Sequence, residues 1–95
     1  MSIVILGGNE CMERRYMELC EDYKCQSKII TKSTGSLKKK IGNPDLAIFF
    51  TNTMSHKMVK GAMSELGSKT VIERCHTSSL AALKGILEKY AGQEK

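Results

Sequence analysis

The chain is 95 residues long, 41% hydrophobic and 26% charged, with fifteen Lys and Arg against ten Asp and Glu for a net charge of +5. That is the profile of one soluble globular domain, hiding roughly 60 to 70% of its unfolded surface and with little surplus stability, so symmetric assembly is open from the outset. No apolar run reaches the ~18 residues of a membrane helix, and the N-terminus lacks the cationic start and small-residue cleavage site of a secretion signal, so a cytoplasmic protein is expected.

The excess of cations suits an anionic small molecule, or nucleic acid, as much as it suits plain solubility. With two Phe, three Tyr and no Trp there is little surface for stacking unpaired bases, so nucleic acid is possible but not favoured. Cys11, Cys20, Cys25 and Cys75 form no C-x-x-C pair and no zinc spacing, and reduced thiols are expected.

In chain order, Ser2 to Leu6 (SIVIL) is a continuous apolar run closed by Gly7-Gly8-Asn9, the pattern of a strand buried on both faces. From Glu10 to Tyr23, Met12, Tyr16, Leu19 and Tyr23 share one helical face, with Asn9 available as the cap. Lys28 to Lys32 reads as a second strand. Ser36 to Ile41 reads as a short helix or turn exposing Lys38, Lys39 and Lys40, and Gly42-Asn43-Pro44-Asp45 breaks the chain. Leu46 to Phe50 (LAIFF) is the expected central strand. Ser55 can cap a helix from His56 to Leu66 with a stripe of Val59, Met63 and Leu66, ended by Gly67. Thr70 to Arg74 is the fourth strand. A last helix bears Leu80, Leu83, Leu87 and Tyr90 on one face, opened by Thr77, Ser78 and Ser79 and closed by Gly92.

The order βαβαβαβα requires parallel strands with right-handed crossovers covering both faces, a doubly wound three-layer sandwich with strand order 2-1-3-4. Sites in such sheets lie beyond the carboxyl ends of the strands where the winding reverses. Three turns converge there: Gly7-Gly8-Asn9, Thr51 to His56, and Cys75 to Ser79.

Gly7 and Gly8 leave the backbone free to approach an anion at a helix start, although GGNECM is not the G-x-G-x-x-G dinucleotide fingerprint. Arg14 and Arg15 stand early in the first helix, where cations oppose its dipole and an anion or acidic partner would relieve them. Asn52, Thr53, Ser55, Thr77, Ser78 and Ser79 supply more hydroxyl and amide groups than two helix caps need, and His56 and His76 lie among them. Cys75 and His76 are neighbours on a strand and face opposite ways. Pairing Cys75 or Ser78 with His56 would lack an acidic orienter, so no catalytic residues are assigned and a non-catalytic domain is expected.

The strings ILGGN, MERRY, KKKIGNPDL, FTNTMSHKM and HTSSLAAL, in that order between Ile3 and Leu87, resemble the bacterial family called domain of unknown function 2325. The resemblance implies a small Rossmann-like domain, and it carries an association with haem binding in an oligomer. Members often read R-S-H or R-T-H where this chain has Arg74-Cys75-His76, a thiol in place of a hydroxyl. For haem, His56 or His76 would supply the axial ligand, Met54 and Met58 an apolar slot, and Arg14, Arg15 or Lys57 the cations for the propionates. A sandwich this small would need a second subunit to complete the pocket, so haem implies a homo-oligomer. The alternatives are a phosphorylated or nucleotide-like small molecule at Gly7-Gly8, Asn52 and Ser78-Ser79, or an interaction module in which Arg14, Arg15 and the lysine strip meet an acidic protein or nucleic acid.

Overall fold

A computed structural model describes residues 1–8, 10–30, 42–66 and 69–91. Strand β1 spans Ser2–Gly7, helix α1 Glu13–Asp22, β2 Gln26–Ile30, β3 Leu46–Phe50, α2 His56–Glu65, β4 Val71–Cys75 and α3 Leu80–Tyr90. The four strands are parallel and lie in the order β2-β1-β3-β4, as the alternation of strands and helices requires. The result is a three-layer Rossmann-like α/β sandwich.

The inner pair is where the two apolar runs fell. Ile3 to Leu6 and Leu46 to Phe50 are all buried, because a strand with helices above and below it has no face left for water. Alternate side chains feed two separate cores. Ile3, Ile5, Leu46, Ile48 and Phe50 pack against Tyr16, Cys20, Leu83 and Leu87 of α1 and α3. Val4, Leu6, Ala47 and Phe49 pack against Met58 and Ala62 of α2 on the opposite face.

The edge strands start or end elsewhere than expected. β2 runs from Gln26 to Ile30 rather than from Lys28 to Lys32, paired with β1 from Ser2↔Gln26 to Leu6↔Ile30. An edge strand half open to water is set by the register of its neighbour, so the polar Gln26-Ser27-Lys28 segment pairs through its backbone although it lacks apolar character. β4 likewise ends one residue later, at Cys75 opposite Phe50. At the amino edge Asp45 ties the starts together. Its carboxylate accepts from the Ser2 N–H at 2.9 Å, its N–H donates to the Ser2 carbonyl at 2.8 Å, and its carbonyl accepts from Val71 at 3.0 Å.

Helix α1 opens with a 3-10 turn at Glu10–Met12, so regular helix begins at Glu13, behind a Met12 that offers no side-chain cap. Its far end closes with Lys24 at φ 58, Cys25 N–H on the Cys20 carbonyl and Lys24 N–H on the Glu21 carbonyl, the Schellman pattern that brings Cys20 and Cys25 together. In α2 the buried positions are Met58 and Ala62 rather than a Val59, Met63 and Leu66 stripe. Val59 and Leu66 flank that core, while Met63 is exposed and accepts an Arg74 N–H on its sulfur at 3.3 Å. Ser55 and Ser79 cap α2 and α3, accepting from Met58 N–H at 3.1 Å and Ala82 N–H at 3.2 Å. Asn9, Thr31, Lys32, the expected Ser36 to Ile41 helix with its lysine strip, Gly67 and Gly92 lie outside the described residues.

Candidate functional site

The turns that follow β1, β3 and β4 are stitched together at the carboxyl edge. After β1 the chain bends through Gly7 at φ +84 and Gly8 at φ +90, a conformation that disfavours a side chain. There is also little room for one. A Cβ on Gly7 would fall 2.9 Å from the Phe50 carbonyl oxygen, and one on Gly8 would fall 3.0 Å from the ring of Tyr16. The Gly8 N–H donates to Thr53 Oγ1 at 2.5 Å, and that hydroxyl donates to the Phe50 carbonyl at 3.0 Å. Close packing and an internal hydrogen bond therefore already use this bend. Thr51 Oγ1 donates to the Cys75 carbonyl at 3.4 Å, joining the second turn to the third. The Tyr16 hydroxyl, on a ring tilted against that of Phe50 with centroids 5.5 Å apart, donates to the Ser78 carbonyl at 2.6 Å and locks α1 to the turn before α3.

On the α2 side of this edge is a cleft of about 290 Å³ lined by Thr51, Met54, His56, Val59 and Arg74. Each residue arrives for a local reason. The 3-10 turn Thr51–Thr53 carries the chain off β3 and leaves Met54 extended, and the Ser55 cap then starts α2 so that His56 is its first residue and Val59 lies one turn on. Arg74 comes from β4, beside Phe49 in the register and on the face that Ile72 shares with α2. The cleft thus holds an imidazole, two apolar walls, a hydroxyl and a guanidinium. Among the described residues no carboxylate pairs with Arg74, which donates instead to the Met63 thioether, a weak acceptor.

The other candidates are distributed around this cleft or away from it. Asn52 and Thr53 are exposed on the turn, and Ser55 and Ser79 are engaged as caps. Thr77 accepts the Cys75 thiol on its carbonyl at 3.1 Å, and the Ser78 carbonyl holds Tyr16. His76 is exposed just past β4 and does not line the cleft. Arg14 and Arg15 are exposed on α1, on the opposite face of the sheet, where Arg15 borders a separate groove. Met58 is buried in the core beneath α2, so it offers no surface to a ligand. Thr51 belongs to the turn expected at this edge, whereas Arg74 and Val59 were not placed at the site from sequence. The period-two alternation Ile72, Arg74 was the signal that could have found the arginine.

All four cysteines are free thiols, Cys20 and Cys25 buried, Cys75 half-buried and Cys11 exposed. Burial pushes the Cys20 thiol up to about 11, a direction that suppresses thiolate and nucleophilic reactivity. Among the described residues no three His, Cys, Asp or Glu side chains gather as a metal site, and no helix is long and apolar enough to cross a membrane.

These features define a class: a small parallel α/β domain with a polar, partly cationic cleft at the carboxyl edge of its sheet. Residues 2–90 match the bacterial family described as "Uncharacterized protein conserved in bacteria (DUF2325)", and the chain belongs to it. No curated protein and no solved structure matches the chain.

Proposed function

We propose that the protein is a non-catalytic, cytoplasmic ligand-binding or sensing domain, that the cleft beside α2 is its site, and that haem is the leading ligand. The observation that carries this reading is the meeting of His56 and Arg74 in one cleft, although they are far apart in the chain and rise from different elements. Bound there, haem would supply an iron centre open to redox change or to a diatomic ligand. His56 is positioned to hold that iron, Met54 and Val59 to face the ring, and Arg74 to pair with a propionate through a guanidinium that no carboxylate among the described residues claims. His76 and Met58 have no part in it. At about 290 Å³ the cleft is at the lower limit of the roughly 300–1,000 Å³ typical of ligand pockets, so it covers only part of a porphyrin and a second subunit must close the rest.

Hemin titration of the full chain, followed by the Soret band, tests this. A saturable red-shifted band is expected, abolished in His56→Ala, kept in His76→Ala and weakened several-fold in Arg74→Ala. No spectral change, or loss with His76→Ala but not His56→Ala, overturns it. Arg74 in the cleft also favours a second reading, a phosphorylated small molecule. Nucleotides or sugar phosphates at a hundred times their dissociation constant would then stabilise the fold by about 2.7 kcal/mol, and Arg74→Ala would erase the gain.

A further inference from the structure

The chain holds six methionines, and the fold grades them by their access to water. Met58 is buried beneath α2, Met12 and Met54 are partly buried, and Met1, Met17 and Met63 are exposed. Met63 differs from the other exposed two in what its sulfur meets. One residue past the buried Ala62 on α2, it is 38% exposed, and its sulfur accepts an Arg74 N–H at 3.3 Å. Arg74 is at the same time a wall of the cleft beside α2. We propose that Met63 is a site of reversible oxidation to the sulfoxide, and that the oxidised side chain captures the Arg74 guanidinium and so withdraws it from the cleft.

The co-reactant is a peroxide, which accepts two electrons from the thioether. A sulfur lone pair attacks one peroxide oxygen, an S–O bond forms as the O–O bond breaks, and the other oxygen leaves with both protons as water. The side chain remains uncharged, and what changes is its hydrogen bonding. Thioether sulfur is a weak acceptor, whereas sulfoxide oxygen carries a partial negative charge, and a guanidinium N–H donating to it makes a charge-assisted bond of the stronger kind. Met63 is exposed and its side chain turns about three bonds, so the new oxygen can face Nη2 of Arg74 without moving α2. On the buried Met58 the same oxygen would instead be forced into the core. The thioether holds Arg74 weakly, so an anionic group in the cleft competes with it easily; the sulfoxide competes on better terms. That last consequence rests on the cleft being a ligand site, while the oxidation and the new bond do not. Reduction by a dithiol enzyme returns the thioether, with release of water and a disulfide, so the change can be undone.

Graded hydrogen peroxide on the full chain, read by peptide mass mapping, gives the first test. Met63 should gain one oxygen at a dose that leaves Met58 unchanged, and methionine sulfoxide reductase with dithiothreitol should remove it. Thermal melts then isolate the new bond. The shift that peroxide causes in the unmodified chain, less the shift it causes in Met63→Leu, reports Met63 alone. That difference should be more favourable by about 2–4 °C with Arg74 in place than in an Arg74→Ala background. Hemin affinity, from Soret titration, should fall several-fold on oxidation of the unmodified chain and hold steady in Met63→Leu. Met63 left unoxidised at a dose that oxidises Met17, a melting shift indifferent to Arg74, or a hemin affinity untouched by oxidation of Met63 overturns the proposal. Protein that binds no hemin before or after peroxide sinks the cleft reading alone, and the melts then decide whether the sulfoxide holds Arg74.

Discussion

Replacing Gly7 and Gly85 by alanine makes the same chemical change in two places and should give opposite results. At Gly7 the new Cβ would lie 2.7 Å from Met54 Cγ, 2.9 Å from Thr53 Oγ1 and 2.9 Å from the Phe50 carbonyl oxygen. The methionine can swing aside, but the carbonyl belongs to β3, whose Phe50 is registered with Gly7 itself. A left-handed φ costs a non-glycine residue about 1–2 kcal/mol, and forced overpacking costs about 1–3 kcal/mol. Their sum, roughly 2–5 kcal/mol, is a large share of the ~5–14 kcal/mol expected for a domain of this size. With a urea slope of about 2 kcal/mol per molar, the unfolding midpoint of Gly7→Ala should fall by roughly 1–2.5 M. Gly85 is exposed within α3, with nothing within 4 Å of an added Cβ. There alanine should add about 0.5–1 kcal/mol, because glycine has more backbone freedom to lose on entering a helix. Urea denaturation followed by circular dichroism at 222 nm reads both. A Gly7→Ala midpoint equal to that of the unmodified protein would refute the close approach of the first turn to β3.

Tyr16→Phe removes the hydroxyl that holds the Ser78 carbonyl at 2.6 Å, and should cost about 1–2 kcal/mol in the same urea assay while leaving the secondary structure intact. Alkaline pH should destabilise the fold. Burial raises the Cys20 thiol from 9.0 to about 11; partial burial and then the Glu88 carboxylate raise Tyr23; the Glu73 carboxylate and then burial raise Tyr90. In each case the folded state holds its proton longer than the unfolded chain. The stabilisation is therefore complete below the unfolded value and is lost as pH climbs, from about 9.0 for the cysteine and from 10.0 for the tyrosines. Thermal melts between pH 8 and 11 should show this decline, and Cys20→Ala should remove the part that begins first. A melting temperature that rises over that interval contradicts the assignment.

What could be read from sequence follows burial. Ile3 to Leu6 and Leu46 to Phe50 announced themselves because an interior strand must be apolar on both faces, and the strand order followed from the connections. β2 was displaced by two residues because its position is dictated by pairing with β1 rather than by its own side chains. The α2 stripe was misphased because Ala62, small and unremarkable in sequence, is what lets the helix approach the sheet, while the larger Met63 turns outward to Arg74. Polar density in the turns pointed to the carboxyl edge of the sheet, where the structure has a cleft beside α2. It did not mark Arg74, because a single cation on an edge strand looks like solubility until the neighbouring helix is in place. Gly7 and Gly8 carried a signal of close approach that the structure directs to Phe50, Thr53 and Tyr16.

The sheet acts as a partition wall. Phe49 and Phe50 are adjacent in the chain, yet one belongs to the layer under α2 and the other to the layer under α1 and α3. Met54 and Val59 pack on one of these layers and Leu19 on the other, so the effects on stability of substitutions that reshape them should add to within about 0.3–0.5 kcal/mol. Selection can thus retune either exterior of this small protein without renegotiating the other, which gives so short a chain two independently adjustable traits.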